Sequence, residues 1–241
     1  MQDTVGRPYA LNDKGVHNMR ELIRQIPKDT VVTELTLSNP EIGDNDIAVI
    51  GTFFKKLKIL NIERFRHFKN TEIEDNITGS TFDQLPASLE EFGIGFCRNL
   101  ADKNIKKLQH LTRLKKLTFY QVPFTGSTFD ELPLNLEELI FFGPALKDSI
   151  DLRGQTRLKK IICGGSKWLT GRFFVNLPKT MEIVDILDGI HLDELSGLCK
   201  LPNLKTLKLY RIGTSLKLSE LITLKNCLPQ LKIIFESFTI N

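Results

Sequence analysis

Leucine, isoleucine and phenylalanine recur along the chain in the pattern LxxLxL, in which the first, fourth and sixth positions are apolar. The residues at the fourth position are separated by 25, 32, 25, 22, 22, 23, 23 and 27 residues. They are Leu35, Leu60, Phe92, Leu117, Leu139, Ile161, Val184, Leu207 and, in a degenerate last copy, Ile234. Apolar residues at alternating positions predict a short strand with one side facing a core. Because one such unit cannot bury its apolar side alone, the pattern predicts stacked repeats with about nine parallel strands.

One stretch of the chain is duplicated almost unchanged. Residues 78–92 (TGSTFDQLPASLEEF) and 125–139 (TGSTFDELPLNLEEL) are identical at eleven of fifteen positions, and a third, weaker copy begins at Thr170. These LP units leave room for only a turn or a short 3₁₀ segment between strands. The longer segments 37–60 and 94–117 instead predict an amphipathic helix on the outer face.

The first 29 residues lack the repeat pattern. Residues 12–26 predict a helix, since Asn12 or Asp13 can cap it and Pro27 follows it. A helix at the end of a repeat stack covers the first strand and its exposed core. We therefore expect an N-terminal helical cap at 1–29 and a repeat domain at 30–241.

Charges alternate from one repeat to the next. The second repeat position carries Lys58, Glu90, Lys115, Glu137, Lys159, Glu182 and Lys205, and the third carries Glu91, Lys116, Glu138 and Lys160. In an in-register parallel sheet these residues face each other about 4.8 Å apart. The lysines are then neutralised in place, so the net charge of +4 gives no basic patch for a nucleic acid.

The sequence offers little for catalysis. The four histidines share no repeat position and lack metal-ligand spacing, so we expect no metal site and no cofactor. The four cysteines stand beside apolar repeat positions, which predicts reduced core residues, and Cys163 takes an inward position. Gly164 and Gly165 predict a tight turn rather than a phosphate loop. No apolar run approaches 18 residues, so we expect no membrane span. An enzyme is disfavoured.

The third, fifth and seventh repeat positions alternate with the inward ones and predict the solvent-facing side of the strands, the concave face of a solenoid. From the fourth to the eighth strand this face carries apolar and aromatic residues with charged neighbours, which is typical of a protein-binding surface. The candidate binding residues are Tyr120, Ile140, Phe142, Ile162, Ile183, Asp185, Leu187, Asp188, Lys208, Tyr210 and Arg211. Two alternatives stay open: the chain itself covers some of them, or the register slips by one residue and exchanges the two faces. Trp168, in a loop, either packs over the strand ends or contacts a partner.

The repeats resemble known families. The spacing is similar to that of leucine-rich repeats, which implies an α/β solenoid, or horseshoe, with the strands on its concave face. Residues 97–108 (CRNLADKNIKKL) resemble the cysteine-containing repeats of ubiquitin-ligase adaptors. The LPxxLEEL units at 85–92 and 132–139 resemble bacterial effector repeats, and with the TGSTFDxLP segments the chain looks most like leucine-rich-repeat effectors of the Legionella type. The usual asparagine at the ninth repeat position is missing, and no ligase domain follows the repeats.

The resemblance implies a translocated bacterial effector. We expect a non-catalytic protein that binds another protein, bacterial or host, on its concave face and modulates it, for example by covering an active site. Such a protein is made in the bacterial cytoplasm and delivered to the host cytoplasm. The alternative is an adaptor that recruits substrates to a ubiquitin ligase or another complex.

Overall fold

Each LxxLxL segment forms one strand of a single parallel sheet. The computed structural model describes residues 19–26, 30–38, 42–63, 76–189, 191–213 and 216–236. Nine strands within these ranges are hydrogen-bonded in chain order, from β1 to β9. They are β1 (Glu34–Leu37), β2 (Ile59–Glu63), β3 (Glu91–Gly95), β4 (Lys116–Tyr120), β5 (Glu138–Phe142), β6 (Lys160–Gly164), β7 (Ile183–Leu187), β8 (Thr206–Tyr210) and β9 (Lys232–Glu236). The chain is a leucine-rich-repeat solenoid, as the spacing predicts.

The register of the sheet follows the repeat. Leu35 pairs with Leu60, and the fourth-position residues continue to pair with one another as far as Leu207. The ninth strand is the exception, because Leu207 pairs with Ile233 and not with the predicted Ile234. Both isoleucines are apolar, so the pattern does not distinguish them.

The core lies on one side of the sheet. Fourth- and sixth-position side chains such as Leu117 and Phe119 are fully buried and belong to one continuous cluster of apolar residues. The phenylalanine of each duplicated segment packs against a strand: the rings of Phe82 and Phe92 meet edge to face at 5.6 Å, and Phe129 meets Phe141 in the same way at 5.5 Å. The opposite side of the sheet is the concave face.

One helix precedes the first strand and the others lie between strands. The described ranges contain three α-helices and five 3₁₀ helices: α1 (Met19–Gln25), α2 (Asp44–Phe53), α3 (Leu218–Cys227), η1 (Phe82–Gln84), η2 (Asp102–Leu108), η3 (Phe129–Glu131), η4 (Arg172–Asn176) and η5 (Ser196–Lys200). The short 3₁₀ segments predicted for the LP units are confirmed. The helix predicted within 37–60 is α2, whereas the segment 94–117 forms the 3₁₀ helix η2 instead of an α-helix. No helix in the described ranges is long and apolar enough to cross a membrane.

The predicted N-terminal helix is described only in its second half. Helix α1 begins at Met19, and residues 12–18 lie outside the described ranges. Ile23 and Ile26 are partly buried and pack against the core cluster, and α1 contacts α2. The packing is consistent with a cap over the first repeat, and the boundary at residue 29 stays a prediction.

Aspartates hold the duplicated segments in place from the preceding repeat. The carboxylate of Asp44 accepts hydrogen bonds from the backbone N–H groups of Thr78 and Gly79 and from the Thr78 hydroxyl. Asp102 accepts the same bonds from Thr125, and Asp148 from Thr170 and Gly171. The TG dipeptide is therefore a loop whose buried donors each need an acceptor from the neighbouring repeat.

The alternating charges meet across neighbouring strands. The ion pairs, by distance between nitrogen and oxygen, are Lys58–Glu90 at 3.2 Å, Lys115–Glu90 at 3.6 Å, Lys116–Glu91 at 3.7 Å, Lys160–Glu138 at 3.0 Å and Lys205–Glu182 at 2.5 Å. The hydrogen bond and charge of Lys58 lower the pKa of Glu90, and Lys205 lowers the pKa of Glu182. The predicted pairing is confirmed by these five ion pairs, which cover four steps from one repeat to the next.

The prediction that all four cysteines are reduced core residues is wrong for two of them. Cys199 in η5 and Cys227 at the end of α3 form a disulfide across 28 residues of sequence, with their Cα atoms 5.6 Å apart. Since 28 residues is close to one repeat, the two cysteines lie on stacked neighbouring units. Cys97 and Cys163 are buried free thiols, as predicted.

Candidate functional site: the concave face

The candidate binding residues follow the strands on the side opposite the core. Tyr120, Phe142 and Tyr210 are the seventh-position residues of β4, β5 and β8, and Leu187 takes the same place in β7. The fifth positions of β5 to β8 are occupied in register by Ile140, Ile162, Asp185 and Lys208. Ile183 is the third-position residue of β7. Asp188 and Arg211 follow the ends of β7 and β8.

The apolar members of this set differ in exposure. Tyr120 is 43% exposed. The half-buried members are Ile140, Ile162, Ile183, Leu187 and Tyr210. Tyr120 is the only exposed member of the group. We call the half-buried members the apolar floor of the concave face, and the ring of Tyr120 protrudes beside it.

Phe142 is buried although it belongs to the concave side. Its side chain is 8% exposed, yet it stands outside the core cluster that contains its neighbour Phe141. The Tyr120 ring lies 5.8 Å from it, and a methyl group on Gly165 would come within 3.1 Å of its Cδ1. The loop after β6 and Tyr120 therefore enclose this ring. The chain itself therefore covers Phe142, which is the first of the two alternatives left open by the sequence.

Aspartate 185 is the most constrained charge of the face. It is 5% exposed, its Oδ2 lies 3.6 Å from Nζ of Lys208, and its Oδ1 has no hydrogen-bond partner in the described part of the chain. Burial raises the pKa of Asp185, and the positive charge of Lys208 opposes that rise. Directly after the ends of β7 and β8, Arg211 donates a hydrogen bond to Asp188 at 3.2 Å, on the exposed border of the face. The two charged pairs give the apolar floor a fixed border.

Sequence reasoning did not include Phe96 in the site. This residue follows β3 with a positive φ of 58°, and its ring meets Tyr120 edge to face at 5.2 Å. Phe96, Tyr120 and Phe142 thus form a row of three aromatic rings, which we call the aromatic row. A phenylalanine in a left-handed conformation is rare, so the sequence carries no simple signal for this placement.

The groups that the sequence analysis considered for catalysis or metal binding are the metal-ligand side chains, Cys163 and the histidines. No group of three or more His, Cys, Asp or Glu side chains among the described residues lies close enough to hold a metal ion. Burial raises the pKa of the Cys163 thiol far above its ordinary value, and the charge of Asp185 acts in the same direction, so this thiol does not ionise readily. Both ring nitrogens of His110 lie 2.9 Å from backbone carbonyl oxygens, those of Lys107 and Leu85.

The tight turn predicted at Gly164 and Gly165 lies slightly later in the chain. Gly164 ends β6 and Gly165 follows it, with φ values of 156° and 79°, and the turn itself is at Lys167 and Trp168. Trp168 is 55% exposed, and the ammonium group of Lys167 lies 4.7 Å from its ring centroid. Trp168 therefore remains accessible to a partner instead of packing over the strand ends.

No protein-family model and no curated protein matches this chain. Among solved structures, it is similar in fold to a leucine-rich-repeat protein of Leptospira interrogans, with 17% identity, a TM-score of 0.48, and coverage of 85% of this chain and 46% of the other. It is also similar to an internalin (InlF) of Listeria monocytogenes, with 14% identity, a TM-score of 0.49, and coverage of 92% and 63%. Internalin C2 of the same species gives 19% identity, a TM-score of 0.38, and coverage of 66% and 74%. The chain thus spans about half to two thirds of the length of the first two. The similarity is one of fold, and these three structures are of bacterial leucine-rich-repeat proteins.

Proposed function

We propose that this chain is a non-catalytic protein-binding module that holds another protein on its concave face. The observation that supports this most is an apolar floor on the side of the sheet that faces away from the core. In a monomer such a floor has no structural role, because the fourth- and sixth-position residues already supply a continuous core. Charged pairs at its edge, Asp185–Lys208 and Asp188–Arg211, would set orientation and specificity.

The charge distribution supports a protein partner over a nucleic acid. Five of the six lysines at the second and third repeat positions are paired with glutamates of the neighbouring strands, so most of their charge is locally balanced. A nucleic-acid surface needs clustered, uncompensated cations. The partner would cover about 1,600 Å² of total surface in an ordinary specific interface, with a few aromatic anchors dominating the energy.

The test is retention of a partner by matched variants. Proteins held by the immobilised chain are identified by mass spectrometry, and each is compared between wild type, a concave double variant (Leu187→Ala, Tyr210→Ala) and a control double variant (Val175→Ala, Ile222→Ala) with the same number of truncations on η4 and α3. The concave variant should retain at least tenfold less of the specific partner, whereas the control should retain it within about twofold. Equal retention by both double variants would remove the concave face from the proposal.

An adaptor role is the second candidate, and exposed apolar side chains on the helical side favour it. Phe53 in α2 is 58% exposed, and Leu218 and Ile222, one turn apart in α3, are 71% and 53% exposed. An adaptor binds two proteins through separate faces. In the same experiment it would lose one protein with the concave variant and a different protein with the control variant.

The disulfide bears on the compartment in which the protein acts. Structural disulfides persist in oxidising environments, whereas the cytoplasm keeps thiols reduced. The Cys199–Cys227 bond therefore favours action outside the cytoplasm, at the bacterial surface or in an extracellular space, over delivery to the host cytoplasm. Labelling of free thiols in the protein taken from its native setting, without reductant, tests this: two reactive cysteines after unfolding indicate the oxidised form, and four indicate a cytoplasmic protein.

A further inference from the structure

The first half of the concave face contains a groove with a floor of glycine. Strand β3 carries Gly93 and Gly95 at its two concave positions, between Asn61 and Glu63 of β2 and Thr118 and Tyr120 of β4. The resulting cavity of about 350 Å³ is lined by Asn61, Glu63, Gly93, Ile94, Gly95, Phe96, Thr118 and Tyr120.

The two glycines are not explained by backbone conformation. Neither has a positive φ, so an L-residue would fit the backbone at both positions. Glycine weakens an interior strand because it loses more conformational freedom and contributes no side chain to packing, and it often marks a place where a ligand approaches the backbone closely. A Cβ on Gly95 would lie 3.4 Å from Tyr120, whereas a Cβ on Gly93 would come within 2.5 Å of Oδ1 of Asn61. The missing side chain at Gly95 thus keeps the groove open, and the missing side chain at Gly93 leaves room for the amide of Asn61.

The walls of the groove define the chemistry of an occupant. On one side stand the rings of Tyr120 and Phe96, in edge-to-face contact with each other at 5.2 Å. On the other side stand the amide of Asn61 and the exposed carboxylate of Glu63, which has no ion-pair partner among the residues described by the structure. An aromatic wall opposite a carboxylate suits a flat cation with an apolar stem. A guanidinium group stacks on aromatic rings and bonds a carboxylate through two N–H groups, whereas an ammonium group does neither as well.

We infer that this groove binds an arginine side chain of the protein partner, with the stem along Gly93 and Gly95, the guanidinium beside Tyr120, and its N–H groups donating to Glu63. The inference rests on the proposed function in that it names one contact of the partner, and it adds a groove to which only Tyr120 of the candidate residues contributes. The apolar floor of β4 to β8 would supply buried interface area, and the groove would select arginine over other side chains of the partner.

The test uses capped tripeptides and does not need the partner. Acetyl-Gly-Arg-Gly-amide is titrated into the isotopically labelled chain, and the backbone amide signals of Gly93, Gly95 and Thr118 are followed by NMR. Saturable shifts at these amides are expected, with a dissociation constant in the millimolar range typical of one side chain. The lysine peptide should bind at least threefold more weakly, and the norleucine peptide, which has an apolar stem without charge, at least tenfold more weakly.

Two variants serve as controls. Gly95→Val should abolish the shifts by filling the groove, and Glu63→Gln, which leaves its shape unchanged, should weaken arginine binding at least fivefold without changing norleucine binding. Equal affinity for the arginine and norleucine peptides would overturn the assignment of a cation. Tighter binding of free arginine than of the capped peptide would indicate a small-molecule site and overturn the assignment to a partner side chain. Shifts spread over other acidic positions, or unchanged in Gly95→Val, would overturn the groove itself.

The outcomes separate this inference from the proposed function. Leu187 and Tyr210, which are truncated in the retention experiment, do not line the groove. A groove that binds the arginine peptide while partner retention is insensitive to Leu187 and Tyr210 contradicts the proposed function alone. Partner retention that depends on those residues, with no peptide binding at Gly93 and Gly95, contradicts the groove alone.

Discussion

At the scale of single residues, the position directly after several strands adopts a left-handed conformation. Phe96, Gln121, Asp188 and Arg211 have φ values of 58°, 51°, 53° and 49°, and Gly165, after β6, has 79°. Four of these five positions therefore carry a residue that is strained there. The turn is imposed by the stacking of repeats, because each strand must leave the sheet in the same direction as its neighbour.

Relief of this strain at an exposed position should stabilise the protein. A left-handed conformation costs an L-residue roughly 1–2 kcal/mol, which a substitution by glycine relieves. The greater conformational entropy of glycine in the unfolded chain offsets roughly 0.5–1 kcal/mol of that gain. Gln121→Gly should therefore raise the free energy of unfolding by about 0.5–1 kcal/mol in a denaturant titration. Gln109, also exposed but with an ordinary φ of −59°, is the control, and Gln109→Gly should lower it by about 0.5–1 kcal/mol. The same sign for both variants would contradict this explanation.

The buried carboxylate of Asp185 should oppose folding at neutral pH. Its pKa in the folded chain is raised above the ordinary 3.8 by burial, so the folded state binds this proton more readily than the unfolded state. Stability then falls as the pH rises from about 3.8 through the raised pKa. Asp185→Asn should raise the melting temperature at pH 7, with a smaller gain below pH 4.

The matched control for Asp185 is Asp188→Asn. Asp188 pairs with Arg211 on the exposed border, so its loss should change stability by no more than about 0.5 kcal/mol at either pH. A fall in melting temperature for Asp185→Asn at pH 7 would show that the attraction of Lys208 exceeds the cost of burial.

At the scale of elements, the repeat is held together by polar contacts that the apolar pattern does not reveal. The TG dipeptides at Thr78, Thr125 and Thr170 are prominent in the sequence, but their acceptors, such as Asp44 and Asp102, stand in the preceding repeat. The aspartate precedes its threonine by 34, 23 and 22 residues in the three copies, so the pairing becomes visible only once the repeats are stacked. The duplicated segment is thus explained by inter-repeat hydrogen bonding and has no need of a catalytic role.

Reversing one charge in the alternating rows should weaken the sheet. Glu138 lies between Lys116 and Lys160 in register and pairs with Lys160 at 3.0 Å. Glu138→Lys replaces attraction with repulsion on both sides and should lower the free energy of unfolding by about 1–2 kcal/mol at low salt. Most of this loss should disappear in 1 M salt, where the screening length is about 3 Å. Glu131→Lys, in η3, is the control and should change stability by less than about 0.5 kcal/mol. A loss for Glu138→Lys that is independent of salt would indicate a steric cause.

The disulfide should stabilise the last two repeats. Closing a loop of 28 residues restricts the unfolded chain by about 3.6 kcal/mol on the chain-entropy model. Reduction, or Cys199→Ala, should therefore make α3 and β9 exchange their amide hydrogens faster, while β3 to β5 change little, because each repeat contacts only its neighbours. The double variant Cys199→Ala/Cys227→Ala should lose no more stability than either single variant. A uniform loss of protection along the sheet would contradict the local role.

At the scale of the whole molecule, the sequence predicts the sheet and its faces well. Alternation places Leu117 inside and Tyr120 outside, and the structure agrees with this register and not with the one-residue slip that the sequence left open. The features that it misses depend on contacts between distant residues. The burial of Phe142 depends on the loop at Gly165, and the link between Cys199 and Cys227 depends on the stacking of their repeats. Both features follow from contacts between residues that are far apart in the sequence, which the apolar pattern does not reveal.

These differences change which concave residues are useful for testing function. Truncation of Phe142 would remove a ring that is 8% exposed, so it would lower stability as well as affecting a partner. Tyr120 and Tyr210 lie outside the core cluster and, unlike Phe142, present ring surface to solvent. The accessibility of these two tyrosines therefore reports on a bound partner in the wild-type protein, with no substitution needed.

The most direct measurement is hydroxyl-radical footprinting of the chain alone and with its captured partner. The account predicts that oxidation of Tyr120 and Tyr210 falls several-fold in the complex, while oxidation of the more exposed Phe53 and Leu134, which lie outside the concave face, stays within experimental error. Unchanged oxidation of both tyrosines, with protection of Phe53 or Leu134, would contradict binding through the concave face.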